Sequence, residues 1–208
     1  MQLDPTSSSI VDVIVFQYNP DTVTRTLQPR SMTGEPGDRL EVLRLTGPPH
    51  ETIKLEAEFD AVEHLNQPSS PDPRNAPVIE GGLLPVLASL EALITPSADQ
   101  LLATDALFDQ GTLEVAPTEA PLIVLVWGIK RVIPVLVGSL SITEEAFDPQ
   151  LRPIRVKASL ELKVLTTNDL PATHLGSTLY VSYRRAAEAL AALVAATDVR
   201  PLGLEHLP

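Results

Sequence analysis

The sequence predicts a mainly β, β-rich α+β chain: antiparallel strands, one flanking helix set among them, and a second helix near the C-terminus. Three observations carry that expectation. Residues 154–164 alternate: Ile154, Val156, Ala158, Leu160, Leu162 and Val164 face one way, and Arg155, Lys157, Ser159, Glu161 and Lys163 the other. Residues 52–60 repeat the device, with Ile53, Leu55, Ala57 and Phe59 opposed by Thr52, Lys54, Glu56, Glu58 and Asp60. A period of two with one wet face marks half-buried strands, which antiparallel sheets allow and all-parallel sheets rarely do. Third, a helical period is confined to two stretches, 83–94 and 177–196.

Each element has its own signal. Residues 11–16 and 40–45 are the weaker strand candidates. Residues 122–127, Leu-Ile-Val-Leu-Val-Trp, are apolar throughout, so that strand is expected to be covered on both faces. Residues 132–143 read as a further strand, with Pro134 near its start, where a missing N–H is tolerated. After Gly81 and Gly82, the residues Leu83, Leu84, Leu87, Leu90, Leu93 and Ile94 fit one helix face, with Pro85 in the first turn and Thr95-Pro96 as a stop. In the C-terminal helix Leu179, Tyr183, Ala186, Leu190 and Leu193 recur at helical steps. Ser177 is its expected N-cap and Arg184–Glu188 an i,i+4 pair. Its surface beyond Glu188 is alanine-rich, which suits close packing on its own domain or on a neighbour. Residues 28–38 and 66–77 are too rich in proline and glycine for regular structure and read as long loops. The chain changes character after Leu165, at Thr166-Thr167-Asn168-Asp169-Leu170-Pro171. The expected organisation is a β domain over 1–165, then a linker, helical arm and tail over 166–208.

Composition narrows the function. The 208 residues carry 15 basic against 27 acidic side chains, a net charge of −12. That argues against nucleic acid or an anionic membrane as partner, since both call for surplus Lys and Arg. The absence of cysteine excludes disulfides, thiolate metal sites and a cysteine nucleophile. No secretory signal is expected at the N-terminus, and the longest apolar runs, 121–127 and 132–137, fall far short of the roughly 20 residues a membrane helix needs. His50, His64, His174 and His206 are scattered without metal-ligand spacing, Ser139 sits in a strand pattern, and Glu144-Glu145 reads as a solvated turn. No catalytic, metal or cofactor site is expected. Between Arg74 and Lys130 no Lys or Arg occurs, while Glu80, Glu91, Asp99, Asp105, Asp109, Glu114 and Glu119 do. This is either a solubilising face or an acidic surface for a basic partner or a pore lining.

An ordered set of motifs adds a resemblance. Residues 15–24 begin Val15-Phe16-Gln17-Tyr18-Asn19-Pro20; residues 52–60 end in Phe59-Asp60; residues 121–128 end in Trp127-Gly128. Residues 138–148, closing on Phe147-Asp148, and residues 153–158 make a final hairpin. In order and spacing, over residues 10–165, this set resembles the contractile injection system tube-protein domain family. The resemblance implies a tail-tube-like antiparallel β-barrel or sandwich acting as a structural ring subunit. It implies a homo-hexamer that joins the inner tube to spike, hub or baseplate proteins of a phage-tail-like particle, assembled in the cytoplasm and open to release from the cell. Nothing in it calls for a cofactor, nucleic acid or membrane insertion. Phe16, Tyr18, Asn19, Pro20, Phe59, Asp60, Trp127, Gly128, Phe147 and Asp148 then take structural or assembly roles. Phe16, Tyr18 and Trp127 are expected in core or corner packing, and Asn19-Pro20 in a turn, because the residue before proline avoids the helical region. Many family members also carry a C-terminal LysM module; this chain lacks the Gly-Asp-Thr-Leu opening after Leu165, so peptidoglycan binding is not implied. From other classes stand a monomeric β-sandwich binding carbohydrate or peptide, and a hydrolase with an unrecognised site.

Overall fold

The alternating strands pair so that their apolar sides fall in register. A computed structural model describes residues 1–4, 9–30, 45–66, 75–109 and 120–194. Its strands are β1 (Gln2–Leu3), β2 (Ile10–Asp12), β3 (Val23–Gln28), β4 (His50–Asp60), β5 (Leu122–Val126), β6 (Val132–Phe147) and β7 (Pro153–Val164). Its helices are α1 (Val62–Asn66), α2 (Asn75–Gly81), α3 (Leu84–Glu91), α4 (Ala98–Asp109) and α5 (Leu175–Ala192). The strands form one seven-stranded antiparallel sheet in the order β2-β1-β5-β6-β7-β4-β3, open between β2 and β3. Opposite residues match: Ile53 with Leu162, Leu55 with Leu160, Ala57 with Ala158 and Phe59 with Val156. The rows continue into β6, where Val137 faces Leu162 and Ile142 faces Ala158. A one-residue slip would turn every one of these side chains to water, so burial fixes the register.

The other face is wet and charged in complementary columns. Lys54 reaches Glu161 at 2.9 Å and Arg155 reaches Asp60 at 2.9 Å, while Lys157 lies 3.5 Å from Glu58 and 3.2 Å from Glu145. Water screens such exposed pairs, so they set pairing preference more than stability.

Two helical covers lie on the apolar face. Val78, Leu83, Leu87 and Leu90, from α2, α3 and their junction, join one buried cluster with Tyr180 and Tyr183 of α5. The α2–α3 junction sits directly on the start of β7. The Leu83 N–H donates to the Pro153 carbonyl at 2.8 Å, and a Cβ at Gly82, whose φ is +61°, would lie 2.7 Å from the same oxygen. Only glycine fits there. On α5 the cap is His174, whose Nδ1 accepts the Gly176 N–H at 3.0 Å; the expected cap, Ser177, is buried one turn in and donates to the Leu170 carbonyl at 3.1 Å. Arg25 of β3 ties the helix to the sheet: it pairs with the buried Glu51 at 2.6 Å, donates to the Tyr183 hydroxyl at 2.5 Å and stands 6.0 Å from that ring's centroid. The first turns of α5 are therefore part of the domain, and the stretch from Glu188 to Val194 projects exposed.

Several expectations change. One flanking helix becomes four among the described residues between β4 and β5. The proline-rich stretch 66–77 is entered by α1 and α2. Pro77 sits in the first turn of α2, where its missing N–H costs no helical bond, and 67–74 lie outside the described residues. The strand expected over 11–16 ends at Asp12, and of the strand expected over 40–45 only Leu45 is described. Strand β5 is covered on both faces at Leu122, Ile123 and Val124 but is half-exposed at Val126. Among the described residues no helix is long and apolar enough to cross a membrane.

Two outcomes follow from the way α5 is held. Tyr183→Ala should cost about 3–5 kcal/mol in denaturant unfolding, as for other buried aromatics, whereas Leu193→Ala, at 78% exposure, should stay within about 0.5 kcal/mol. The second concerns Asp169, which takes the Thr166 hydroxyl at 2.7 Å, the Thr166 N–H at 3.0 Å and Lys163 at 3.1 Å. Partial burial alone would raise its pKa, but the Thr166 donors and Lys163 outweigh it and hold the carboxyl below its ordinary value. A depressed native pKa stabilises the fold above the unfolded value, and that stability is lost as pH falls through the native one. Asp169→Asn should therefore lower the unfolding midpoint at neutral pH, and the gap to the parent chain should close below about pH 4.

Candidate functional site

The apolar face is not fully covered. Between β5, α3 and the segment that follows β2 lies a cleft of about 840 Å³, within the usual range for ligand and peptide sites. Its floor is Val135 and Val137 of β6 with Leu160 and Leu162 of β7, and Leu90 and Leu93 form one wall. The opposite wall is residues 12–16 together with Asn19, and β5 closes it with Trp127 and Gly128 of the turn that follows. Its lining is mostly apolar, with Gln2, Asp12 and Asn19 among the polar residues.

The segment after β2 is held by a side chain that imitates a strand. Gln17 Oε1 accepts the Asp60 N–H at 2.8 Å, and its Nε2 donates to the Asp60 carbonyl at 2.9 Å. One amide thus satisfies both backbone groups at the end of β4, beyond the last residue that β3 reaches. At the other side of the cleft the β5–β6 turn is tight: Trp127 N–H donates to the Arg131 carbonyl at 2.8 Å and Arg131 N–H to Gly128 at 3.1 Å, with Gly128 at φ +81°. That conformation favours glycine.

The motif residues divide into three groups. Phe16, Asn19, Trp127 and Gly128, from segments over a hundred residues apart, converge on the cleft. Phe59 is core, and Asp60 holds both the Gln17 clamp and Arg155. Phe147 and Asp148 lie apart, at the β6–β7 hairpin. There Asp148 accepts the Gln150 and Arg152 N–H groups and pairs with the Arg152 side chain at 2.6 Å, while Phe147 is half-exposed. Desolvation works against the Asp148 charge, but the Arg152 and Gln150 donors together outweigh it and hold its carboxyl below the usual range.

The packing of the aromatics differs from expectation. The departure is Tyr18, which is 47% exposed; Phe16 and Trp127 pack against the core cluster, partly buried. Asn19 is exposed and Pro20 half-buried, in the irregular stretch that leads to β3. Sequence reasoning missed Gln17, Leu90 and Leu93 as site residues. Gln17 carried no signal beyond its place in the motif, and the two leucines read as helix core. Among the described residues no three His, Asp or Glu side chains converge to hold a metal ion. The arrangement offers shape and apolar surface. No protein-family model matches the chain. No curated protein matches it either.

Removing the clamp gives a direct measure of the wall. Gln17→Ala should destabilise by about 1–3 kcal/mol by leaving both Asp60 backbone groups unpaired. Trp127→Ala, from a partly buried position, should cost about 1–2 kcal/mol, below the 3–5 kcal/mol of a fully buried aromatic. Urea unfolding of the two variants checks both values.

Proposed function

We propose that this chain is a structural ring subunit of a contractile injection particle, joining the inner tube to the spike or baseplate, with no catalytic role. The observation that supports this reading is an unbalanced sheet. Strand β6 runs 16 residues, yet β5 pairs only with Val132 to Val135. Along residues 136–147 no described strand pairs with the side of β6 away from β7. Among the described strands β3, last in the strand order, is also an edge, and five of its six residues are exposed. A chain with two different open edges suits head-to-tail pairing, and heterologous contacts of that kind close into rings. On this reading the tail-tube-like barrel is completed between copies. Assembly takes place in the cytoplasm, and the partners are further copies, the tube and the baseplate. The gathering of Phe16, Asn19, Trp127 and Gly128 at one cleft also suits a set of motif residues shared by a family of ring parts.

The second reading, a monomeric binding module, draws on the cleft. Its apolar lining would suit side chains of a peptide better than sugar hydroxyls.

Ser141→Lys with Thr143→Lys tests the edge, since both side chains are exposed and edge lysines block strand addition. The expected result is an unchanged melting temperature with loss of association in light scattering, and loss of incorporation when the chain is co-expressed with tube and baseplate proteins. A parent chain that stays monomeric at every concentration and never enters particles would refute the ring reading.

A further inference from the structure

Helix α4 stands out because it is folded but buries none of its described side chains. Leu101, Leu102 and Leu107 are 51%, 67% and 41% exposed. A helix of 12 residues is marginal in water without a packing surface. Asp105 stands at i+4 from Leu101 and at i+3 from Leu102, so the carboxylate neighbours each of the two leucines on the helix surface. The domain meanwhile keeps an apolar cleft, and beside its lining residue Gly128 the turn carries Lys130 and Arg131. These are the first cations after the acidic stretch; both are exposed, and neither forms an ion pair among the described residues.

We propose that α4 of one copy seats in the apolar cleft of a second copy. Leu101 and Leu102 enter over Leu90, Leu93 and the β6–β7 floor, and Asp105 turns toward the neighbour's basic turn. The charges agree: Asp105 and the negative end of the helix dipole both favour Lys130 and Arg131. The occupant is a second copy because, within one chain, Leu101 and Leu102 remain exposed although α4 begins only a few residues after the cleft residue Leu93. Each copy then gives one helix and receives one, the head-to-tail arrangement that closes rings. The interface deepens the ring-subunit reading and rests on it.

The absence of cysteine makes the test clean. One full-length variant carries Leu102→Cys and another Val126→Cys, both at exposed positions, the second lining the cleft. Mixed and oxidised, they should give a disulfide-linked dimer that predominates over the dimers of either variant alone. Adding Asp105→Arg to the first should abolish it, and adding Lys130→Glu with Arg131→Glu to the second should restore it. Melting curves of each variant confirm that the fold is kept. Association in light scattering without this cross-link overturns the interface while the ring reading stands. A chain carrying both cysteines that closes on itself as a monomer puts α4 in its own cleft and overturns the proposal. Failure of both association and cross-linking overturns the two together.

Discussion

Every cover in this domain is held by the apolar face that β4, β7 and the first part of β6 turn the same way. Because side chains alternate strictly along a strand, the rows Ile53–Leu162–Val137 and Ala57–Ala158–Ile142 exist only in one register. That register decides where α2 and α3 rest, where α5 lands and where the cover stops. Fully burying a residue of this kind contributes about 1.5–3 kcal/mol, far more than any surface pair on the opposite face. The charged columns there follow the register; they do not choose it.

The two covers are anchored by different chemistry. The α2–α3 junction rests on shape: a glycine with no Cβ lets backbone approach backbone over Pro153. Helix α5 is anchored by a polar knot in which the partly exposed Arg25 meets the buried Glu51 and Tyr183. Burial pushes the Tyr183 and Tyr180 hydroxyls above their ordinary pKa, so each stays protonated where it packs. Neither cover reaches the face between β5, α3 and the segment after β2, and the cleft lies there. Its contents are the same kinds of side chain that form the core, left without a lid.

What could be read in the sequence follows the same physics. Strands β4 and β7 were legible because nothing interrupts their alternation. Strand β3 was not: its inward side reads Val23, Arg25, Leu27, and a charge in the middle hides the period until Glu51 and Tyr183 are seen to receive it. Helix α4 was missed because its apolar residues lie on several sides, and α2 because Pro77 reads as a breaker unless its place in the first turn is known. Of the site, Phe16, Asn19, Trp127 and Gly128 were marked by the motif resemblance, and the floor by alternation. Their convergence was not legible, since it depends on β5 lying beside β6 and on a side chain bonding across 43 residues.

That bond has a kinetic meaning. The Asp60 amide is secured by a side chain of a neighbouring segment, so it opens when residues 12–19 swing away, with β4 and β7 still paired. Deuterium uptake at this one position therefore counts detachments of the cleft wall, while the amides of β4 paired with β7 count unfolding of the sheet. The wall and the sheet keep separate clocks.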